Sequence, residues 1–207
     1  MERDGQKIMM EKEYEGLTNP GMILAFVSSV FGFLSFADAF FELPIDSVFA
    51  MGLIRLFLGF IFFLAAMVNL LKGRAAGNLN LIFSVCFGLF SGSSILVKTF
   101  QNSMVVLEQP PIYALLQIVC ALYLAAILPV MKKLPMYQWI CFACVVIGLL
   151  CGASCEFTGW MILKRISGIC FLIFGCLNIY TGLSWTIEEL PQGPLMEQVF
   201  FKNKPVQ

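Results

Sequence analysis

One arginine lies deep inside an apolar stretch and is the residue whose chemistry stands out most. Arg55 is flanked on both sides by apolar residues, in the segment AMGLIRLFLGF. A charged side chain in a membrane segment is costly and usually faces a cavity or a partner. Two interpretations stay open. The long side chain snorkels towards Asp46 or pairs with a nearby acid, or it forms a vestibule charge that attracts anions.

Neutral hydrogen-bonding side chains form a second group that could act on a ligand. They recur within otherwise apolar runs, at Asn78, Asn80, Ser84, Ser91, Ser93, Ser94, Gln117, Asn178, Tyr180 and Thr181. Such groups suit a narrow pathway for a small polar solute. They suit hydrogen bonds between membrane helices equally well, each contributing ~0.6–2 kcal/mol. Spacing alone does not separate these two roles.

The sequence offers no arrangement typical of membrane catalysis. There is no H-E-x-x-H, no Ser/His arrangement and no Walker loop. Histidine, the commonest metal ligand, is absent. The eight cysteines all lie inside apolar runs, where we expect small packing residues, with a metal site or a disulfide as the alternative. We therefore expect no catalytic residue, no metal and no cofactor.

The elements that carry these residues are six long apolar runs. The chain is 59% hydrophobic and 13% charged, with a mean hydropathy of +0.87. Crossing a bilayer takes about 20 predominantly apolar residues of helix, because backbone polar groups must be paired within the protein there. The sequence predicts an all-α, polytopic bundle in contact with membrane lipid, with helices roughly over 21–37, 48–71, 78–98, 112–131, 137–155 and 160–187. The net charge of +0 provides no basic surface for nucleic acid.

The distribution of lysine and arginine indicates an orientation. Residues 1–20 and 188–207 are expected to be cytoplasmic segments flanking a six-helix transmembrane domain over 21–187. The basic residues after the second and fourth helices then lie inside, as the positive-inside rule requires, whereas Lys164 and Arg165 fall outside and oppose it. Gly88-x-x-x-Gly92 and Gly148-x-x-x-Gly152 have the spacing that allows close helix packing. The plasma membrane is the expected location.

Several segments, in order, resemble the acetate uptake transporter family, the succinate–acetate permease-like proteins. They are Asn19-Pro20 before the first helix, LLKGRAAG (70–77), FGLF (87–90), QWICFACVVIGLLCGAS (138–154) and GCLNIYTGLSWTIEELPQGPL (175–195). The chain also departs from the family. Its NPGMILAF is a shorter version of the family signature, Phe62 stands where the family has Gln, and Asn69 stands where it has an acid.

The resemblance implies a channel or secondary transporter for small monocarboxylates such as acetate, with proton coupling left open, and a homo-oligomer for which a hexameric ring is one form. It implies that Phe26, Phe87 and Cys144 line the narrow part of the pathway, and Asn19 and Ser84 are the pathway residues that can supply hydrogen-bond donors. The hydroxyl and amide would orient the carboxylate, and the rings would hold its methyl group and narrow the bore. Two alternatives remain: a pore for a neutral solute such as ammonia or urea, and a non-transporting scaffold or sensor that keeps the fold.

Overall fold

The computed structural model of the protein describes residues 20–73, 76–102, 112–129 and 136–189. These residues form six helices, which confirms the predicted all-α architecture. Five are long and apolar enough to cross a membrane, and the fourth is a shorter apolar helix. We name them α1 (Gly21–Phe40), α2 (Ile45–Leu71), α3 (Ala76–Phe83, Ser84–Phe90 and Ser91–Asn102 in succession), α4 (Ile112–Ile127), α5 (Met136–Thr158) and α6 (Met161–Glu189). Residues 1–19 and 190–207 lie outside the described residues, so their predicted placement stays a prediction.

Proline and glycine mark the ends of several helices. Pro44 is extended and precedes α2, which begins at Ile45, three residues earlier than the apolar run indicates. Gly73 and Gly159 have φ values of 65° and 72°. Only glycine adopts this left-handed region without cost, and it often stops a helix there. The two glycines therefore make compact turns after α2 and after α5.

Glycines bring the helix backbones into direct contact at two crossings. A Cβ atom added to Gly59 or Gly88 would collide with the backbone of the other, so α2 and α3 cross there. One added to Gly92 would lie 2.7 Å from the amide nitrogen of Leu56. Likewise, one on Gly32 of α1 would lie 2.7 Å from the Cα atom of Gly175 on α6. The predicted packing role of Gly88-x-x-x-Gly92 is confirmed.

The middle turn of α3 is a π-helix over Ser84–Phe90. Such wide turns are rare and occur frequently at functional sites. This one contains Gly88, at the crossing with α2, and Phe87, which is buried in the bundle. The wide turn therefore carries one predicted pathway residue into the centre of the molecule.

Candidate functional site

A cavity of about 280 Å³ opens between the helices. We call it the vestibule. Each helix contributes to its wall, for example through Ser35, Arg55, Ser91, Tyr113, Cys155 and Ser167. Lining residues from α1 and α5 come from the second half of each helix, as do those from α3 apart from Phe87 near its middle, and those from α6 come from its first half. The vestibule therefore lies in the half of the bundle away from the start of α1 and the end of α6.

Arg55 lies in the vestibule wall and is 7% exposed. It lies ten residues into α2, or about 15 Å along the helix, which is too deep for a simple reach to the helix start. Its Nη1 donates a 2.7 Å hydrogen bond to Ser91 Oγ, and its Nη2 lies 3.3 Å from Ser35 Oγ. The guanidinium also lies over the Phe31 ring, 5.6 Å from its centroid. Three helices thus hold this cation in place.

No carboxylate forms a direct ion pair with Arg55 within the described part of the chain. Neither of the two ion pairs found there involves Arg55, so the expected pairing with Asp46 or a nearby acid is wrong. Its buried Nε has no hydrogen-bond partner. A buried guanidinium without a counter-ion is costly, so the vestibule contains a positive group that can accept an anion.

Aromatic rings pack together at the vestibule. Phe87 and Phe171 line it. The Phe87 ring centroid lies 5.6 Å from that of Phe31, 5.3 Å from that of Phe83 and 5.7 Å from that of Phe171. We call these four rings the aromatic layer. Phe87 and Phe171 thus form part of the vestibule wall, and Phe31 and Phe83 pack against Phe87.

The outer part of the vestibule carries two ion pairs between helices. Lys98 Nζ of α3 lies 3.3 Å from Glu156 Oε2 of α5, and Lys164 Nζ of α6 lies 3.4 Å from Asp38 Oδ2 of α1. We call them the mouth pairs. All four residues line the vestibule together with Arg55. Three cations and two anions leave one net positive charge, and that excess lies at the deeper Arg55.

The side of the vestibule formed by α4, α5 and α6 contributes polar atoms as well. Gln117 Oε1 is buried, has no hydrogen-bond partner among the described residues and lies close to Gly152. Ser167 Oγ, also near Gly152, donates a 2.7 Å hydrogen bond to the carbonyl of Gly148. The vestibule therefore offers an unpaired acceptor besides the unpaired donor of Arg55.

The predicted pathway residues fall in different places. Phe87 lines the vestibule, but Phe26 is 66% exposed on the outside of α1 and does not contribute to it, which corrects the predicted lining role. Phe31, five residues later, is the α1 ring that faces inward. Ser84 is fully buried and donates a 2.8 Å hydrogen bond to the carbonyl of Gly59, so its proton is already used at the α2–α3 crossing.

Two further predicted residues do not contribute to the vestibule either. Cys144 is half-buried on α5, near Cys170 of α6, and does not line the cavity. Asn19 lies outside the described residues. For one pair of cysteines the disulfide alternative holds rather than the expected packing role, because Cys86 of α3 and Cys120 of α4 form a disulfide.

Sequence reasoning missed several residues of the site. Ser35, Phe31 and Phe171 lie on apolar helices without any local feature that marks them. Two residues of the mouth pairs were weakly indicated as unusual, because Lys164 broke the positive-inside pattern and Glu156 ended an apolar run. Their pairing across helices could not be predicted from spacing.

The helices and the vestibule together define a polytopic membrane protein with a polar cavity built into its bundle. The solved structure of the bacterial acetate channel SatP has this fold, with a TM-score of 0.71 over 87% of this chain and 98% of that chain, at 15% sequence identity. No protein-family model and no curated protein sequence matches the chain. The comparison therefore establishes the six-helix fold.

Proposed function

We propose that this protein is a membrane channel or secondary transporter for small monocarboxylates such as acetate, and a member of the acetate uptake transporter family. The observation that carries the proposal is Arg55, a buried cation that forms no ion pair within the described residues and lines the vestibule together with the mouth pairs. The fold shared with a bacterial acetate channel, rather than with an enzyme, and the ordered sequence resemblance support it.

The chemistry of the vestibule fits a short carboxylate. Arg55 supplies positive charge and an unpaired Nε–H, and charge-assisted hydrogen bonds of this kind are among the strongest in proteins. The rings of Phe87 and Phe171 and the side chain of Leu149 supply an apolar surface for the methyl group. Orienting a carboxylate at one end and an alkyl group at the other is the usual pattern of small-ligand sites.

The aromatic layer is the proposed barrier to passage. Crossing apolar rings is costly for a carboxylate anion and much less so for the neutral acid, which carries its own proton. Proton-coupled movement therefore needs no protein histidine, and the chain has none. Phe87 lies at the centre of this barrier because it contacts the other three rings.

The same rings favour one alternative, a non-transporting sensor that binds the anion but does not pass it. Phe83 also packs against Phe62 and Phe142, so rings from α2 and α5 extend the layer across the bundle. A sensor would bind acetate in the vestibule without uptake. The pore for ammonia or urea has no comparable observation in its favour, because a neutral solute does not require a buried cation.

Uptake of radiolabelled acetate into proteoliposomes separates these functions. We expect saturable uptake that increases with an inward proton gradient if the acid crosses in its neutral form. Acetate binding by calorimetry without uptake would favour the sensor, and uptake of labelled urea or methylamine without acetate would favour the neutral pore. Cross-linking and native mass measurement of the same preparation test the proposed homo-oligomer, including a hexamer, which monomers alone would contradict.

A further inference from the structure

The mouth pairs line the vestibule at its more exposed end, whereas Arg55 lies buried in its wall. Each joins two different helices, α3 with α5 and α6 with α1, and all four side chains line the cavity. The side chains of Lys98 and Glu156 are 47% and 43% exposed, and those of Lys164 and Asp38 are 36% and 42% exposed. These groups are therefore partly exposed, unlike the buried Arg55.

Exposed ion pairs of this kind contribute little to stability, because water screens them and the long lysine side chain loses entropy when it is held. Each lysine can leave its own carboxylate at little cost. An incoming carboxylate is chemically the same acceptor as Glu156 or Asp38. The deeper Arg55 then offers that anion a cation with no carboxylate of its own and with an unpaired Nε.

We propose that the mouth pairs are an anion filter, in which a solute carboxylate exchanges for Glu156 on Lys98, or for Asp38 on Lys164, before it moves to Arg55. The proposal rests on the proposed function in taking a small carboxylate as the substrate. It assigns opposite roles to the two partners of each ion pair. The lysines attract the anion, and the acids compete with it and keep the resting mouth neutral.

This division of roles distinguishes a filter from a structural link between helices. Lys98→Gln and Glu156→Gln break the same ion pair. If the pair only holds α3 to α5, both changes should alter the apparent KM for acetate in the same direction, because both break the same link. If it filters anions, Glu156→Gln should increase anion entry and Lys98→Gln should decrease it. The double variant should return close to the unmodified protein.

Cys155 provides a probe of this potential that does not require transport. It is a free cysteine that lines the vestibule next to Glu156. Its modification rate by an anionic sulfonatoethyl methanethiosulfonate, divided by that for the cationic trimethylammonium analogue, reports the local potential. These reagents do not partition into lipid, and Cys155→Ser identifies the signal that belongs to this position. Arg165→Gln on the exposed surface of α6 is the matched charge control.

We expect Glu156→Gln to raise the anion-to-cation rate ratio and Lys98→Gln to lower it, each by about fivefold, as for a unit charge about 8 Å from the thiol in water. Asp38→Asn and Lys164→Gln should repeat the pattern, and Arg165→Gln should change the ratio little. Changes in the same direction for both partners would overturn the proposal. So would a Cys155 that reacts with neither reagent, because a filter must be open to water.

Measuring acetate uptake by the same variants tests the proposed function separately from the anion filter. Opposite shifts in labelling without acetate uptake in any variant would retain the anion filter and reject transport. Uptake in the unmodified protein, with labelling shifts in one direction only, would retain transport and reject the filter. The apparent KM for acetate should fall in Glu156→Gln and rise in Lys98→Gln.

Discussion

The guanidinium of Arg55 donates a 2.7 Å hydrogen bond to the hydroxyl of Ser91, a residue 36 positions later in the chain. The contact joins α2 to α3 one helical turn beyond the glycine crossing at Gly59 and Gly88. Because the backbones meet at that crossing, the arginine and the serine are held at one level in the vestibule wall. The packing of two helices therefore positions the charge that the proposed function requires.

Replacing Arg55 with Gln should weaken acetate uptake strongly. A hydrogen bond to a charged group contributes ~1.5–3 kcal/mol, so we expect the apparent KM to rise about tenfold to a hundredfold. The loss should be greatest at low ionic strength, because the screening length falls from ~30 Å at 0.01 M to ~8 Å at 0.15 M salt. The surface variant Arg165→Gln serves as the control. A defect that does not depend on salt would count against a vestibule charge.

Ser91→Ala should reduce stability while Arg55→Gln does not. The alanine leaves a buried guanidinium nitrogen without its 2.7 Å partner, which costs about 1–3 kcal/mol. Arg55→Gln removes an uncompensated buried cation, and such a change is often neutral or stabilising for the fold. Thermal unfolding in detergent measures both variants. Equal losses of thermal stability in the two variants would show that Arg55 stabilises the bundle.

Phe87→Ala should open the aromatic layer. The ring contacts three others, so its removal leaves a gap between the vestibule and the inner half of the bundle. We expect faster acetate uptake and entry of longer acids such as butyrate, together with a stability loss of about 3–5 kcal/mol for a buried phenylalanine. Phe60→Ala, on the exposed face of α2, is the matched control. Unchanged rates and selectivity in folded Phe87→Ala protein would assign the ring to ordinary packing.

Gly88→Ala should disrupt the α2–α3 crossing. The added methyl group would collide with the backbone of Gly59, which cannot move aside as a side chain could. We expect a large fall in folded yield and, in any protein that inserts, loss of the Arg55 position and of acetate uptake. Gly182→Ala on α6, where the nearest atom is the Cβ of Ala25 at 3.3 Å, should be mild. Normal yield and uptake for Gly88→Ala would contradict the close crossing.

Asn19→Asp tests the residue before Pro20. Pro20 is the N-cap residue of α1, and Asp and Asn are about equally favourable at a helix start, so a purely structural role of Asn19 should tolerate the change. If the Asn19 amide orients the entering carboxylate, a negative charge there should repel it, and uptake should fall while thermal stability stays near normal. A stable Asn19→Asp protein with full uptake would remove Asn19 from the pathway.

The number and type of helices followed from local properties of the chain. Length and apolar content decide whether a segment can cross a bilayer, and neither depends on what the segment contacts. For the same reason the isolated charge of Arg55 and the Gly88-x-x-x-Gly92 spacing stood out in the sequence, and both are central to the structure. The boundaries were less predictable, as the earlier start of α2 at Ile45 shows.

Only the tertiary structure decided which face of each helix packs towards the interior of the bundle. In a water-soluble bundle the apolar stripe marks the core, but in a membrane bundle the lipid-facing side is equally apolar. Phe26 and Phe31 are therefore indistinguishable by type, although the first lies outside and the second packs on Phe87. The depth of each residue within the bundle could not be predicted from the sequence either. Ser84 and Ser91 both face α2, but Ser84 meets the Gly59 carbonyl at the crossing, whereas Ser91 reaches Arg55 beside the vestibule.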